Sequence, residues 1–310
     1  MAEASTIVTL AAAGRKLHAC NDVNGSEFKR PRVAYVRSEY VMRYDRIHQP
    51  VLSEMIDAAV TSATKQPSPK EAWSAILKQD DIIGLKFNQA AARELNISAQ
   101  MADIVIKSLV DAGFKADNIV LIEAPAGLAS QYQTQPARIG WQDKETDFRS
   151  GSDRLAKYLD QVSAVINIPF LKTHRIARMT CTLKNISHAV VMNPARFHDN
   201  HCSPYIADIF SLPQVRDKIK LHLVNCLKVI HVGGPSGAGI QIQDAGVVLA
   251  GTDPVAIDTV GLDLLNQARK QSNLPPIAQQ SEELPYISAA VARQLGCPHF
   301  NQIDIDYQQA

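Results

Sequence analysis

The chain has 310 residues, 46% hydrophobic and 20% charged, with 32 Lys+Arg against 31 Asp+Glu for a formal charge of +1. A chain near this length buries about 75% of the surface its unfolded form exposes, so it needs no disulfide or metal staple to fold. The composition excludes a disordered or fibrous chain, and the charge balance excludes global attraction to nucleic acid or to anionic lipid.

Residues 1–30 read as an N-terminal arm. Residues 32–38 (RVAYVRS) predict a strand, and 49–65 a helix with Val51, Met55, Ala58 and Ala59 at helical spacing. Ser68, Pro69 and Glu71 carry a helix-start signature: an N-cap, a proline at the first helical position and a capping-box acid. Residues 81–87 (DIIGLKF) predict a buried strand. Ser98 is placed to cap a helix whose face is Met101, Ile104, Val105 and Leu109, and Gly113 ends it. A strand is predicted over 118–123, a helix over 152–159 and a strand over 162–168. Strands follow over 219–224, 229–232 and 247–250. Asp253 and Pro254 then open a helix to about Gln267. These strands lack polar/apolar alternation, which points to an α/β fold: a mostly parallel sheet with helices on both faces. Residues 31–270 are assigned to a single α/β domain, and 271–310 to a C-terminal tail with one helix (286–295).

The cysteines Cys20, Cys181, Cys202, Cys226 and Cys297 contain no CxxC pair. Their scatter argues against a disulfide framework, a self-contained iron–sulfur cluster or a structural zinc site, and leans towards a reducing compartment. Apolar runs such as 162–170 fall far short of the roughly 20 residues that span a bilayer. Residues 1–13 have no basic region ahead of their apolar residues and make a poor export signal. The expectation is a cytoplasmic protein with no membrane and no nucleic-acid partner.

Open α/β sheets bind ligands beyond the carboxyl ends of their strands. The predicted strands end in Lys86 and Asn88, in Glu123, in Asn167, Lys172 and His174, and in Thr252 and Asp253. The segment 167–185 packs Lys172, His174, Arg175, Arg178 and Lys184 together with no acid, a repulsive cluster that an anion would offset; a solvated basic loop is the alternative. His174, His188, His198 and His201 crowd one region. His198 and His201 have the i, i+3 spacing of two ligands on one helical turn, with Asp199 as a third, although the same pattern fits a polar loop between Pro194 and Pro204. The glycine-rich 231–239 (HVGGPSGAG) reads as a flexible loop. Glu123 and Asp258 are the acids best placed for function. Cys181, in the basic stretch, fits a small buried residue.

Asn167-Ile168-Pro169, Lys172-Thr173-His174, Thr182-Leu183-Lys184-Asn185 and Thr252-Asp253-Pro254, with Ala256 and Asp258, resemble the signature blocks of the domain of unknown function 362 family. Gly84-Leu85-Lys86-Phe87-Asn88 resembles that family's lysine–asparagine strand end, with Phe87 where proline is usual. The likeness runs from about Asp81 to Gly296. Many members carry ferredoxin-type cysteine clusters; this chain lacks them, so no iron–sulfur cluster is expected. A fainter similarity links the order of His174 and Lys184 to the nickel-pincer lactate racemase family, whose histidine and downstream lysine serve a small hydroxy acid.

Together these readings predict an enzyme acting on a small anionic, carboxylate-like ligand by Lys/His acid–base chemistry. His174 is assigned as the proton carrier, because its ordinary pKa suits neutral pH, and Lys184 joins it. Lys86, Asn88, Lys172, Asn185, Asp253 and Asp258 are assigned to substrate. The alternative is a non-catalytic protein that binds an anion or a divalent metal, the metal held by His198, His201 and Asp199.

Overall fold

The computed structural model describes residues 30–44, 46–125, 127–234 and 239–310; all but the last residue of the N-terminal arm read over 1–30 lies outside them. Ten strands make the main sheet: β1 (Arg32–Arg37), β2 (Ile83–Lys86), β3 (Ile119–Ile122), β4 (Gln135–Pro136), β5 (Ala164–Asn167), β6 (Phe170–His174), β7 (Arg178–Thr180), β8 (Ile219–Val232), β9 (Gln241–Gly251) and β10 (Asp304–Gln309). Their order is β10-β1-β9-β8-β5-β2-β3-β4, with β6 paired to β8 and carrying β7. Neighbours from β8 to β4 run parallel, as do β6 with β8 and β10 with β1. β9 is antiparallel to both β1 and β8. This is the largely parallel α/β architecture that the strand pattern predicts.

Both faces are covered, which is why the strands are continuously apolar. On one face α1 (Gln49–Thr64), α2 (Pro69–Ile76) and α3 (Ser98–Asp111) enclose a core with Leu85, Ile166, Leu221 and Leu223. On the other, α4 (Thr182–Ser187), α5 (Tyr205–Phe210), α6 (Pro254–Gln271) and α7 (Pro285–Ala292) pack on Val165, Val224, Cys226 and Leu249. Ser68 caps α2 as its sequence predicts, its Oγ accepting from the Glu71 N–H at 3.3 Å. Among the described residues no helix is long and apolar enough to cross a membrane.

Several secondary-structure expectations, and one drawn from the cysteines, need correction. Residues 152–159, read as a helix, form a strand (Ser152–Ala156) antiparallel to Trp141–Asp147, then a 3-10 turn. The Asp153 carboxylate ties that hairpin to the Asn193 N–H at 2.7 Å, a long-range contact that outweighs local helix propensity. The strands read over 219–224 and 229–232 are one strand with a register shift at Cys226/Lys228. Ser98 lies inside α3 instead of capping it, because Ile97 takes the cap position. The tail over 271–310 adds β10 to the sheet edge, anchored by Arg32 to Asp304 (2.9 Å) and Asp306 (2.8 Å). Cys181, Cys202 and Cys226 are buried free thiols, but Cys297 is disulfide-bonded, so the cysteines as a set no longer argue for a reducing compartment.

Candidate functional site

The register of the parallel strands brings the first polar residues to one level. Lys86 of β2 lies opposite Ile122 of β3 and Asn167 of β5, so Glu123, the next residue after β3, falls beside the lysine at the carboxyl edge. Lys86 is fully buried. Its Nζ donates to the Phe87 carbonyl, to Glu123 Oε2 at 3.2 Å and to Asn185 Oδ1 at 3.2 Å. Asn185 Nδ2 donates to Asn167 Oδ1 at 2.7 Å, and Asn167 Nδ2 donates to the Thr182 carbonyl and to His222 Nδ1 at 2.9 Å. A buried polar chain thus runs from His222 to Glu123, and both ends of the Asn185 amide are engaged in it.

Lys172, in the middle of β6, is also fully buried; its Nζ donates to Asn88 Oδ1 at 3.2 Å and to the Ala90 carbonyl. Lys184, in α4, donates to His198 Nε2 at 3.2 Å. Neither has a carboxylate within salt-bridge distance among the described residues. Burial, then the neighbouring Lys86 charge, lowers the Lys172 pKa to about 7, with Glu123 acting the other way. Burial brings Lys184 to about 7 as well. For Lys86 burial lowers the pKa, and Glu123 opposes the shift. The structure therefore brings Lys86, Asn88, Lys172, Lys184 and Asn185 to one region of the sheet edge.

The two aspartates serve the scaffold of this region. Asp258 is buried on α6, and its Oδ1 accepts from the Thr182 N–H (2.7 Å) and the Thr182 hydroxyl (2.6 Å). It thereby anchors the first turn of α4, which carries Lys184 and Asn185. Burial raises its pKa to about 6. Asp253 caps α6 at the Ala256 N–H (2.8 Å) and also accepts from the Cys297 N–H (2.9 Å). The approach is so close that a Cβ on Gly296 would lie 1.8 Å from Asp253 Oδ1. Asp253 is held by backbone N–H groups, whereas Asp258 uses Oδ1 for Thr182 and leaves Oδ2 buried without a hydrogen-bond partner among the described residues.

His174 closes the β6–β7 hairpin. Its Nδ1 accepts from the Ile176 N–H (3.2 Å) and the Ala177 N–H (3.0 Å), which fixes a neutral ring with its proton on Nε2. Burial and then Lys184 push its pKa down to about 3. Its ring stacks on His198 with centroids 5.6 Å apart, and His198 meets His188 edge-on at 4.7 Å. The 198–201 stretch is not a regular helical turn: Asn200 and His201 are left-handed. His201 is exposed and its Nδ1 donates to the Ile176 carbonyl at 2.9 Å. Among the described residues the ligand group that does assemble is His188, His198 and Cys202, whose candidate atoms lie within 4.8 Å of one another; His201 and Asp199 stand outside it.

The glycine-rich loop begins beside this region. Gly234 has φ +65°, and a Cβ there would approach the Thr173 carbonyl to 2.6 Å, so glycine lets the chain lie against β6 next to His174. Residues 235–238 lie outside the described residues. Sequence reasoning passed over Asn167 and His222 as the inner end of the polar chain, and Cys202 as a neighbour of the histidines. Asn167 is legible as the polar residue near the end of the strand predicted over 162–168, whereas Cys202 needed the left-handed path of Asn200–Cys202.

Fold and site define a largely parallel α/β protein with a buried lysine cluster at the carboxyl edge of its sheet. A family model described as Domain of unknown function (DUF362) matches residues 83–263, more than half of the chain, and the chain belongs to that family. The match spans the lysine–asparagine strand end, the basic segment and Asp258, as the motifs implied, and carries nothing on the lactate racemase family. A comparison with the curated proteins finds no match.

Proposed function

We propose that the chain is an enzyme that binds a small carboxylate-like anion at Lys86, Lys172 and Lys184 and moves a proton with Lys172. The observation that carries this reading is Lys172 itself: a buried amine that, among the described residues, has only neutral oxygens in contact. Burying an ammonium without a counter-charge costs several kcal/mol, and an anion supplies that counter-charge. A pKa of about 7 also matches the group to proton transfer near neutral pH.

The other residues fall into place around it. Lys86, whose three N–H groups go to the Phe87 carbonyl, Glu123 and Asn185, contributes its charge to the anion's surroundings. Asn185 is a positioning residue, since both ends of its amide fix Lys86 and Asn167. Asn88 accepts from Lys172 with Oδ1 and offers its Nδ2 as a donor to substrate. His174 has its Nδ1 occupied by two backbone N–H groups, so it serves as an Nε2–H donor, and the acid–base role passes to Lys172. Asp253 and Asp258 hold the helices that carry the site.

The test is ligand binding followed by turnover. Isothermal titration with a panel of small mono- and dicarboxylates, hydroxy acids and phosphate should find a ligand for the wild type. Lys172→Met should weaken that ligand and abolish turnover, typically a loss of about 10²–10⁴-fold for a general acid–base. Retention of affinity and rate in Lys172→Met contradicts the assignment.

A further inference from the structure

The cluster of His188, His198 and Cys202 lies beside the lysines but takes no part in the reading above. We infer that these three residues form a binding site for a thiophilic divalent cation of the zinc class. Their donor atoms, one ring nitrogen from each histidine and the Cys202 sulfur, lie within 4.8 Å of one another. Tetrahedral ligation with metal–nitrogen and metal–sulfur bonds of ordinary length sets ligand atoms about 3.5 Å apart, so about 1 Å of closure completes the site.

The hydrogen bonds around the rings match what a metal-binding histidine needs. His198 Nδ1 donates to the Pro194 carbonyl at 2.8 Å, which fixes the ring and leaves Nε2 as a lone pair. His188 Nε2 donates to the Phe197 carbonyl at 3.0 Å, which leaves Nδ1 as a lone pair. Both carbonyls belong to the 3-10 turn Pro194–Phe197. A backbone carbonyl on the far nitrogen is the usual device for orienting a ligating imidazole. Each lone pair now meets a hydrogen: the Ser187 hydroxyl at His188 Nδ1 (3.1 Å) and the Lys184 ammonium at His198 Nε2 (3.2 Å). A cation replaces both.

Cys202 reaches the cluster through an unusual backbone. Asn200, His201 and Cys202 are three successive left-handed residues, with φ of 49°, 56° and 63°. L residues adopt that conformation singly as a rule. The run turns the Cys202 side chain into the interior, where it is fully buried, and leaves His201 outside. Two nitrogens and one sulfur select zinc, cobalt or copper over magnesium or calcium, which prefer oxygen. On binding, the Cys202 S–H bond breaks, the thiolate pair forms the metal–sulfur bond, and the proton leaves to solvent. Lys184 must leave His198 when the cation enters, so the site and the lysine cluster share that one side chain. The inference stands whether or not the lysines bind an anion.

Cobalt(II) titration of the full chain tests it, because a cobalt–thiolate bond gives a charge-transfer band in the near ultraviolet. The wild type should take up one equivalent with that band. Cys202→Ser should lose the band and His188→Gln should weaken binding. His201→Gln and Asp199→Asn should retain the band, and Lys184→Met should bind more tightly because the competing ammonium is gone. Zinc should also raise the melting temperature of chelator-treated wild type, a readout that does not depend on any variant folding. No band with folded wild type, a band that persists in Cys202→Ser, or a melt unmoved by zinc overturns the inference.

Discussion

Lys172 is the residue at which burial and function conflict most directly. Its amine sits at the centre of a buried strand facing Asn88 and the Ala90 carbonyl, and burial, then the Lys86 charge, lowers its pKa to about 7. The folded pKa lies below the ordinary value of 10.5, so the unfolded chain binds more protons between about pH 7 and 10.5. Stability should therefore rise with pH through that window, with the penalty fully present below it. Denaturant melts of the wild type should show this rise between about pH 7 and 10, with a shallower one for Lys172→Met. At the acid end the variant should be more stable by on the order of 1–3 kcal/mol. Parallel pH profiles for the two proteins contradict the account. His174 gives the complementary forecast. His174→Gln removes the acceptor of the Ile176 and Ala177 N–H groups and should cost about 1–3 kcal/mol in a thermal or denaturant melt. Intact stability with abolished ligand turnover would return the proton to His174.

Among the elements, α4 shows how the fold aims the site. Its first turn is tied to α6 by Asp258, and Lys184 and Asn185 follow from that turn. Asp258→Ala should cost about 1–3 kcal/mol by orphaning the Thr182 N–H, the hydroxyl keeping the Pro254 carbonyl at 3.0 Å, and should also weaken anion binding by releasing Lys184 and Asn185. Asp258→Asn retains an acceptor at Oδ1 and should fall between the two in both melt and titration. Equal anion affinity in wild type and folded Asp258→Ala would show that α4 needs no such anchor. Much of this was legible beforehand. Strand ends at Lys86, Glu123 and Asn167, the caps at Ser68 and Asp253 and the crowding of cations over 167–185 all follow from local pattern. What local pattern could not supply was the partner. Asp258 sits 76 residues from Thr182, the 152–156 strand depends on its pairing with 141–147, and the ligating neighbour of His198 turned out to be Cys202 because three left-handed residues redirect the chain.

On the scale of the whole molecule, the last strand closes one edge of the sheet. β10 pairs with β1, and Asp304 and Asp306 meet Arg32 while Ser62 donates to Asp306 at 2.6 Å. Removal of residues 304–310 should expose β1 as an open edge and lower the melting temperature, with a higher tendency to associate by light scattering. An unchanged melt would show that β10 is dispensable. The central claim, however, is the buried lysine cluster as an anion site, and the most direct test is the melting temperature of the wild type and Lys172→Met with and without small dicarboxylates at low salt. A ligand that binds only the folded state stabilises it by mass action, and salt screens the accessible part of the attraction. The account predicts a rise for the wild type that shrinks with added salt and is absent in Lys172→Met; an equal rise in both proteins, or a flat response of the wild type across the whole panel, would contradict it.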